Sequence, residues 1–265
     1  MQSGGGMSHR TPEAPRTHIT SLPPHEIHAV EYGSGAETLV LLHGLSGSSR
    51  WWSRNAPVLA ESYRVMIPVL IGFGQSQAGA RLPSPGDTAD LIARWLTQLE
   101  VESAHLVGHS MGGQIAVHFA VRHAARLRRL VLVDPAGLPR PRTASSAARF
   151  AMEIAGLWRW GDPRFLPTIV GDAWAAGPRT LLRAIRHILA DDITPLLPLV
   201  QAPTLVIWGE RDSWVPLADA AEFRAKLPNS RLAVLRGASH NPMVDRPGDF
   251  NRLVLHFLQG DEVGH

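Results

Sequence analysis

The sequence contains no cysteine, and among its 26 basic residues only Lys226 is a lysine. Without cysteine the chain forms no disulfide, binds no metal through thiolates and uses no thiol nucleophile. No apolar run reaches the roughly 18–20 residues that span a bilayer, so we expect no stable membrane insertion. Charged residues make up 18% and hydrophobic residues 45% of the 265 positions, which is typical of a globular protein.

The charge balance does not favour a nucleic-acid partner. The isoelectric point is about 10.1, but the formal net charge is only +3. Because nearly all basic residues are arginine and only two tyrosines are present, a small surplus of arginine keeps the isoelectric point high. No basic cluster or recognition motif accompanies it.

The first sixteen residues, 1–16, are predicted to form a disordered tail. They lack the apolar core of roughly 7–15 residues that a secretory signal requires, so we expect a cytoplasmic location.

Short apolar runs alternate with amphipathic segments beyond this tail. This alternation predicts an α/β fold with a mostly parallel central sheet of about eight strands and flanking helices. Residues 17–137 and 201–260 are assigned to this core, and the proline-punctuated residues 138–200 to a helical cap. The predicted strands are Ile27–Tyr32, Thr38–Leu42, Val65–Val69, Ala104–Val107, Leu130–Val133, Thr204–Trp208 and Leu232–Leu235.

Two amphipathic helices are predicted inside the cap. One apolar face would comprise Phe150, Ile154, Leu157 and Trp158, and the other Leu181, Leu182, Ile185 and Leu189.

The sharpest motif is the run Gly108-His109-Ser110-Met111-Gly112-Gly113, between a predicted strand and a predicted helix. A Gly-x-Ser-x-Gly sequence at such a turn lifts the serine hydroxyl above the sheet, and its glycines avoid clashes between the strand and the helix. Ser110 is therefore the candidate nucleophile.

A serine nucleophile needs a base, and the base needs an acid that orients it. His240 and Asp212 are the candidates, because each follows a predicted strand in the chain order Ser, acid, His. The carboxyl ends of parallel strands are where sites on such sheets form. Asp134, which directly follows another strand, is the competing acid, although the Asp-Pro pair that it begins is also a common turn opener.

An oxyanion intermediate needs two fixed N–H donors. The backbone of Met111, at a helix N-terminus, is the first candidate, and that of Leu45, after His43-Gly44, is the second. His43 itself either buttresses this loop or lines the substrate pocket beside it.

The chain resembles the single-domain α/β hydrolases, of the serine esterase and lipase type. The resemblance covers roughly residues 20–260 and rests on His43-Gly44, Gly108–Gly113, the block Pro203–Asp212 and the block Gly237–His240. Two positions depart from the family pattern. Val69 stands where an aspartate is common, which puts the polar network of that loop in doubt, and Asp245 stands where a glutamate is common.

The resemblance and the triad imply a serine carboxylesterase that acts on a small-molecule ester with no metal or organic cofactor. Trp51, Trp158 and Trp214 are predicted to line an aromatic pocket suited to short, medium-chain or aryl esters. A C–C bond hydrolase of the meta-cleavage type and a lactonase or perhydrolase remain alternatives, as does a receptor that binds a small molecule. His109 mildly favours the esterase, because the C–C hydrolases that the chain resembles often carry Asn before the nucleophile. The oligomeric state is not predicted.

Overall fold

The computed structural model describes residues 14–76, 78, 81–139 and 161–261. Within these residues, a single sheet of eight strands has the spatial order β1-β2-β4-β3-β5-β6-β7-β8. The pairs β1–β2 and β2–β4 are antiparallel, and every other neighbouring pair is parallel. The predicted mostly parallel sheet is therefore confirmed. The strands are β1 (Arg16–Leu22), β2 (His25–Tyr32), β3 (Thr38–Leu42), β4 (Arg64–Pro68), β5 (Ala104–His109), β6 (Leu127–Val133), β7 (Thr204–Gly209) and β8 (Ser230–Leu235).

Helices cover both faces of the sheet. They are α1 (Ala56–Leu59), α2 (Pro85–Gln98), α3 (Met111–Arg122), α4 (Leu166–Ala190), α5 (Leu217–Lys226), α6 (Pro242–Asp245) and α7 (Pro247–Gln259). Alternate strand residues face opposite layers: Val40 and Leu42 pack in the layer of α2, α3 and α5, whereas Leu39 and Leu41 pack in that of α1, α6 and α7. No helix in the described residues is long and apolar enough to cross a membrane.

The sequence patterns missed one strand, β1. This edge strand pairs only with β2, and its side chains are mostly polar, while Ile19 is 61% exposed. A solvated edge strand lacks the continuous apolar run of a central strand, so hydrophobicity alone does not reveal it. β1 begins at Arg16, which is the last residue of the predicted tail. Residues 1–13 of that tail lie outside the described residues.

The chain leaves the sheet after β6 and returns before β7 through a helical insertion. Its helix α4 is kinked at Gly177, where φ is 74°, directly before Pro178. Leu181, Ala184 and Ile188 pack on the core, but Leu182 and Leu189 are 50% and 57% exposed.

The predicted apolar face of this helix is thus corrected. Spacings of three and four residues place Leu181, Ala184 and Ile188 on one side, and Leu182 and Leu189 on another. The other predicted cap helix, with Phe150, Ile154, Leu157 and Trp158, lies outside the described residues.

Candidate active site

The carboxyl ends of five neighbouring parallel strands bring the candidate residues to one edge of the sheet. His43 follows β3, Ser110 follows β5 and Asp134 follows β6. Asp212 and His240 lie in the loops after β7 and β8. This edge is where open α/β sheets form their ligand sites.

Ser110 occupies a strained turn between β5 and α3. Its backbone has φ 52° and ψ −115°, in the half of conformational space that non-glycine residues rarely adopt. The turn is held by a hydrogen bond of 2.9 Å from the Ser110 N–H to the Val133 carbonyl. It is also tightly packed, since a Cβ on Gly112 would lie 2.5 Å from the Leu42 carbonyl oxygen. The sharp turn predicted from the sequence motif is present.

His240 donates its Nδ1–H to Oδ2 of Asp212 across 2.7 Å. The other oxygen of Asp212 accepts the N–H groups of Trp214 and Val215, at 2.7 and 3.0 Å. Burial alone would raise the pKa of Asp212, but the charge of His240 and these hydrogen bonds hold it below its ordinary value. Asp212 is thus an ionised acceptor that fixes the orientation of the imidazole. Trp214 stacks on the same ring, with centroids 5.8 Å apart.

His109 connects β5 to the loop of His240. Its Nε2–H donates to the carbonyl oxygen of His240 across 2.7 Å, and the two rings lie 4.9 Å apart. Burial, together with the nearby charge of His240, lowers the pKa of His109 to about 3, so this imidazole is neutral. The sequence placed His109 in the motif but gave no sign of this partner.

Asp245 holds the other side of the His240 loop. It accepts both the N–H and the hydroxyl of Ser239, at 2.7 and 2.5 Å, and the N–H of Asp162 at 2.9 Å. The aspartate that replaces the more common glutamate therefore connects the loop to the cap at Asp162.

The two predicted oxyanion donors lie on adjoining segments. A Cβ on Gly44 would be 3.2 Å from the Ser110 Cβ, so the loop after β3 touches the turn at Ser110. In the described part of the chain, no acceptor takes the backbone N–H of Leu45 or of Met111. Both donors are therefore available beside Ser110.

Of the two roles that the sequence left open for His43, its contacts favour support of this loop. Its side chain is fully buried, and its Nε2 accepts the Leu70 N–H at 3.0 Å while its Nδ1–H donates to the Gly44 carbonyl at 2.8 Å. Burial lowers its pKa to about 4, so it is neutral. His43 also supports the loop after β4, in which Val69 replaces the aspartate common in the family. Val69 and Phe73 of that loop are buried, and the Phe73 ring contacts His43, so packing and His43 hold it.

Comparison with known proteins identifies the family. A sequence model described as the alpha/beta hydrolase family matches residues 39–253. The chain belongs to this family. It is 29% identical to the 2-hydroxy-6-oxo-6-phenylhexa-2,4-dienoate hydrolase of Burkholderia cepacia, over 88% of the chain and 91% of that protein. It is 30% identical to the pimeloyl-[acyl-carrier protein] methyl ester esterase of Aeromonas hydrophila, over 86% and 97%. The structure of a bacterial membrane phospholipase A superposes with a TM-score of 0.83 and 26% identity, over 94% of this chain and 87% of that one.

The cap of this α/β hydrolase is fastened to the loop after β3 by Asp172 of α4. This buried carboxylate accepts the Ser48 hydroxyl at 2.8 Å and the Trp51 Nε1–H at 3.0 Å, and it pairs with Arg50. Trp51 is only 5% exposed and its ring lies 5.6 Å from that of His109. It therefore forms a buried wall behind the site. No sequence signal marked Asp172.

The remaining predicted tryptophans of the hydrolase differ in their placement. Trp214 is half-buried against His240 and stays a candidate wall of the pocket. Trp158 lies outside the described residues.

A second buried carboxyl group, Asp134, lies beside the Asp212–His240 pair. The ligand atoms of these three residues lie within 4.8 Å of one another, which makes them the one candidate metal-binding group among the described residues. Nδ1 of His240 and Oδ2 of Asp212 are, however, committed to each other. The cluster thus has the geometry of an acid–base pair with an additional acid.

Proposed function

We propose that this α/β hydrolase is a carboxylesterase that cleaves esters of short and medium apolar acids through an acyl-enzyme. Ser110 is the nucleophile, His240 the base and Asp212 the orienting acid. The observation that carries the proposal is the 2.7 Å hydrogen bond from His240 Nδ1 to buried Asp212. Because that bond fixes the proton on Nδ1, it leaves Nε2 free to accept a proton.

The chemistry follows from this tautomer. His240 Nε2 takes the hydroxyl proton of Ser110 as Oγ attacks the ester carbonyl carbon. The tetrahedral intermediate collapses when the protonated imidazole gives the proton to the departing alkoxide, which leaves as an alcohol. Water then enters, loses a proton to Nε2 and attacks the acyl-enzyme. The second collapse returns the proton to Ser110 and releases the acid.

The negative charge on the intermediate is placed against the N–H groups of Leu45 and Met111. Met111 begins helix α3, so the positive end of the helix dipole adds to its donor strength. Fixed backbone donors need no reorganisation when the charge develops, which is why they stabilise a transition state more than the substrate.

The substrate class is argued from an apolar cleft beside Met111. The cleft lies between the cap helix α4 and the start of α3. Its walls include Ile71, Phe73, Ile115 and Ile188. Such a cleft favours the hydrocarbon part of an acyl group over a polar or charged one.

A panel of p-nitrophenyl esters with acyl chains of increasing length tests the reaction. We expect hydrolysis that peaks at short or medium length and that falls by at least about 10³-fold in Ser110→Ala. A burst of p-nitrophenol equal to the enzyme concentration would support the acyl-enzyme. No hydrolysis of any ester in the panel would overturn the carboxylesterase proposal.

The position of the acyl cleft is tested by filling it. Ile188→Trp, which adds bulk to the cleft wall, should move the preferred acyl chain to shorter esters. Ile185→Trp is the matched control, since Ile185 lies on the same helix but does not line the cleft. Equal chain-length profiles for the two variants would show that the acyl group binds elsewhere.

A second candidate is hydrolysis of a C–C bond in a vinylogous diketone. It is favoured by the similarity to the dienoate hydrolase of Burkholderia cepacia, and the same triad would serve it. The purified protein should be offered a ring-fission dienoate beside the esters. A kcat/KM for the dienoate at least tenfold higher than the kcat/KM for the best ester would favour this second reaction. A lactone series tests the lactonase alternative. A binding assay with Ser110→Ala tests the receptor alternative.

A further inference from the structure

Two carboxyl groups are buried together behind the imidazole of His240. Asp134 is fully buried, and so is the side chain of Asp212. The nucleophile, base and acid of the proposed triad do not include Asp134. A buried acid without a role in the mechanism requires an explanation, because an isolated carboxylate loses its stabilising hydration when it is buried.

The hydrogen-bond donors around the pair are distributed unequally. Asp212 accepts from His240 Nδ1 and from the N–H groups of Trp214 and Val215. Asp134 accepts one N–H, from Gly209 at 2.9 Å, on its Oδ1. Its Oδ2 receives no donor from the described residues, and carboxyl oxygens of Asp134 and Asp212 lie within 4.8 Å of each other.

Two ionised carboxylates cannot share such a contact, because like charges in a buried site repel strongly. The proton must therefore remain on the group with fewer hydrogen-bond donors, which is Asp134. Burial, the charge of Asp212 and the hydrogen bond to Asp212 all raise the pKa of Asp134.

We propose that Asp134 is a protonated positioning residue that donates its carboxyl O–H to Asp212 and so extends the triad to four groups. The proposal rests on the assignment of Asp212 as the acid of the proposed carboxylesterase. The donated bond would give the Asp212 carboxylate one more donor and so restrict its rotation. It also spreads the negative charge over two carboxyl groups, which weakens the attraction of Asp212 for the imidazole proton.

The opposite assignment, in which ionised Asp134 orients His240, makes different predictions. Asp134 adopts φ 41°, a left-handed conformation that aspartate and asparagine tolerate better than most residues. Asparagine is thus the matched replacement: its amide N–H can donate to Asp212 and its oxygen can accept the Gly209 N–H, but it cannot ionise.

The protonation state is measured directly by infrared spectroscopy at pH 7. We expect a carbonyl stretch of a protonated carboxylic acid that is present in the wild type and absent in Asp134→Asn. It should be retained in the control Asp249→Asn, whose side chain on α7 is 48% exposed. It should also be retained in Ser110→Ala, so the readout does not depend on catalysis. If wild type and Asp134→Asn give the same spectrum in this region, Asp134 is ionised and the proposal is overturned, whatever the ester panel shows.

The functional contribution is measured from pH profiles of kcat/KM for the best ester. Asp134→Asn should retain activity within about threefold of the wild type, because the donor is kept. Asp134→Ala and Asp134→Ser should lose about tenfold, and the acid limb of their profiles should move to higher pH, because Asp212 then holds the imidazole proton more tightly. Circular dichroism checks that each variant is folded. If Asp134→Asn is as inactive as Asp212→Asn, or if no variant moves the acid limb, the positioning role is wrong.

Discussion

His109 Nε2 and the carbonyl oxygen of His240 are joined by a buried hydrogen bond of 2.7 Å. This bond links residues 131 positions apart in the chain and connects the strand that ends at Ser110 with the loop that presents the proposed base. The residue directly before the proposed nucleophile thus helps to hold the backbone from which the imidazole projects.

Replacing His109 by phenylalanine should therefore reduce kcat more than it changes KM. The aromatic ring is kept, but the His240 carbonyl loses its donor, and an unsatisfied buried group costs about 1–3 kcal/mol. We expect kcat to fall about 5- to 50-fold, measured by steady-state kinetics on the best ester. His105→Phe is the control, because His105 is buried on the same strand but contacts Glu37, away from the site. Equal losses in the two variants would indicate a general packing defect.

The free energy of unfolding should decrease as the pH is lowered from 6.5 to about 4. The pKa values of His43 and His109 are lowered by burial, to about 4 and about 3, from an ordinary value of 6.5. In this window His43 and His109 bind protons in the unfolded chain but not in the folded one. The free energy of unfolding therefore decreases by up to about 1.4 kcal/mol per pH unit for each histidine. The contribution is fully present above pH 6.5.

Urea denaturation across this pH range measures the slope. In His109→Phe the slope should be shallower by about one proton, while between pH 7.5 and 8.5 the slopes of the variant and the wild type should agree. An unchanged slope between pH 6.5 and 4 would mean that His109 is protonated in the folded state.

Replacing Asp172 by alanine should loosen the cap. The change leaves the Ser48 hydroxyl and the Trp51 Nε1–H without their acceptor. We expect a loss of about 2–3 kcal/mol in the free energy of unfolding and a decrease in Tm of about 5–10 °C. Limited proteolysis should cut between residues 161 and 190 sooner. Asp192, also in the cap, accepts the Thr194 N–H, and Asp192→Ala should change little. The two variants would behave alike if Asp172 did not fasten the cap.

Replacing Asp245 by alanine should slow the chemical step. Asp245 holds the N–H and the hydroxyl of Ser239, which precedes His240. A displacement of the base by about 1 Å can cost up to about 10²-fold, so we expect kcat to fall by at least about tenfold with KM within about threefold. Asp249→Ala, an exposed acid paired with Arg252, is the control. A loss confined to KM would show that Asp245 acts on substrate binding instead.

Much of the fold was predictable because central strands of a covered parallel sheet are continuous apolar runs. Leu39–Leu42 and Leu205–Trp208 are entirely buried, and their composition shows it. The edge strand β1 was missed because solvent covers part of it, and half of the predicted face of α4 was misplaced. Helical spacing identifies an apolar stripe, but Leu182 and Leu189 show that it does not decide which stripe meets the core.

The sequence by itself determined the places of Ser110, Asp212 and His240 in the chain, since each follows a strand at the edge where parallel strands end. Only the tertiary structure decided how the surrounding groups are paired: His43 inside its loop instead of in the pocket, His109 on the His240 carbonyl, and Asp134 against Asp212. The physical reason is that local patterns record burial and secondary structure, which depend on near neighbours. A buried hydrogen bond, and the proton that it carries, depends on which distant residues the folded chain brings together.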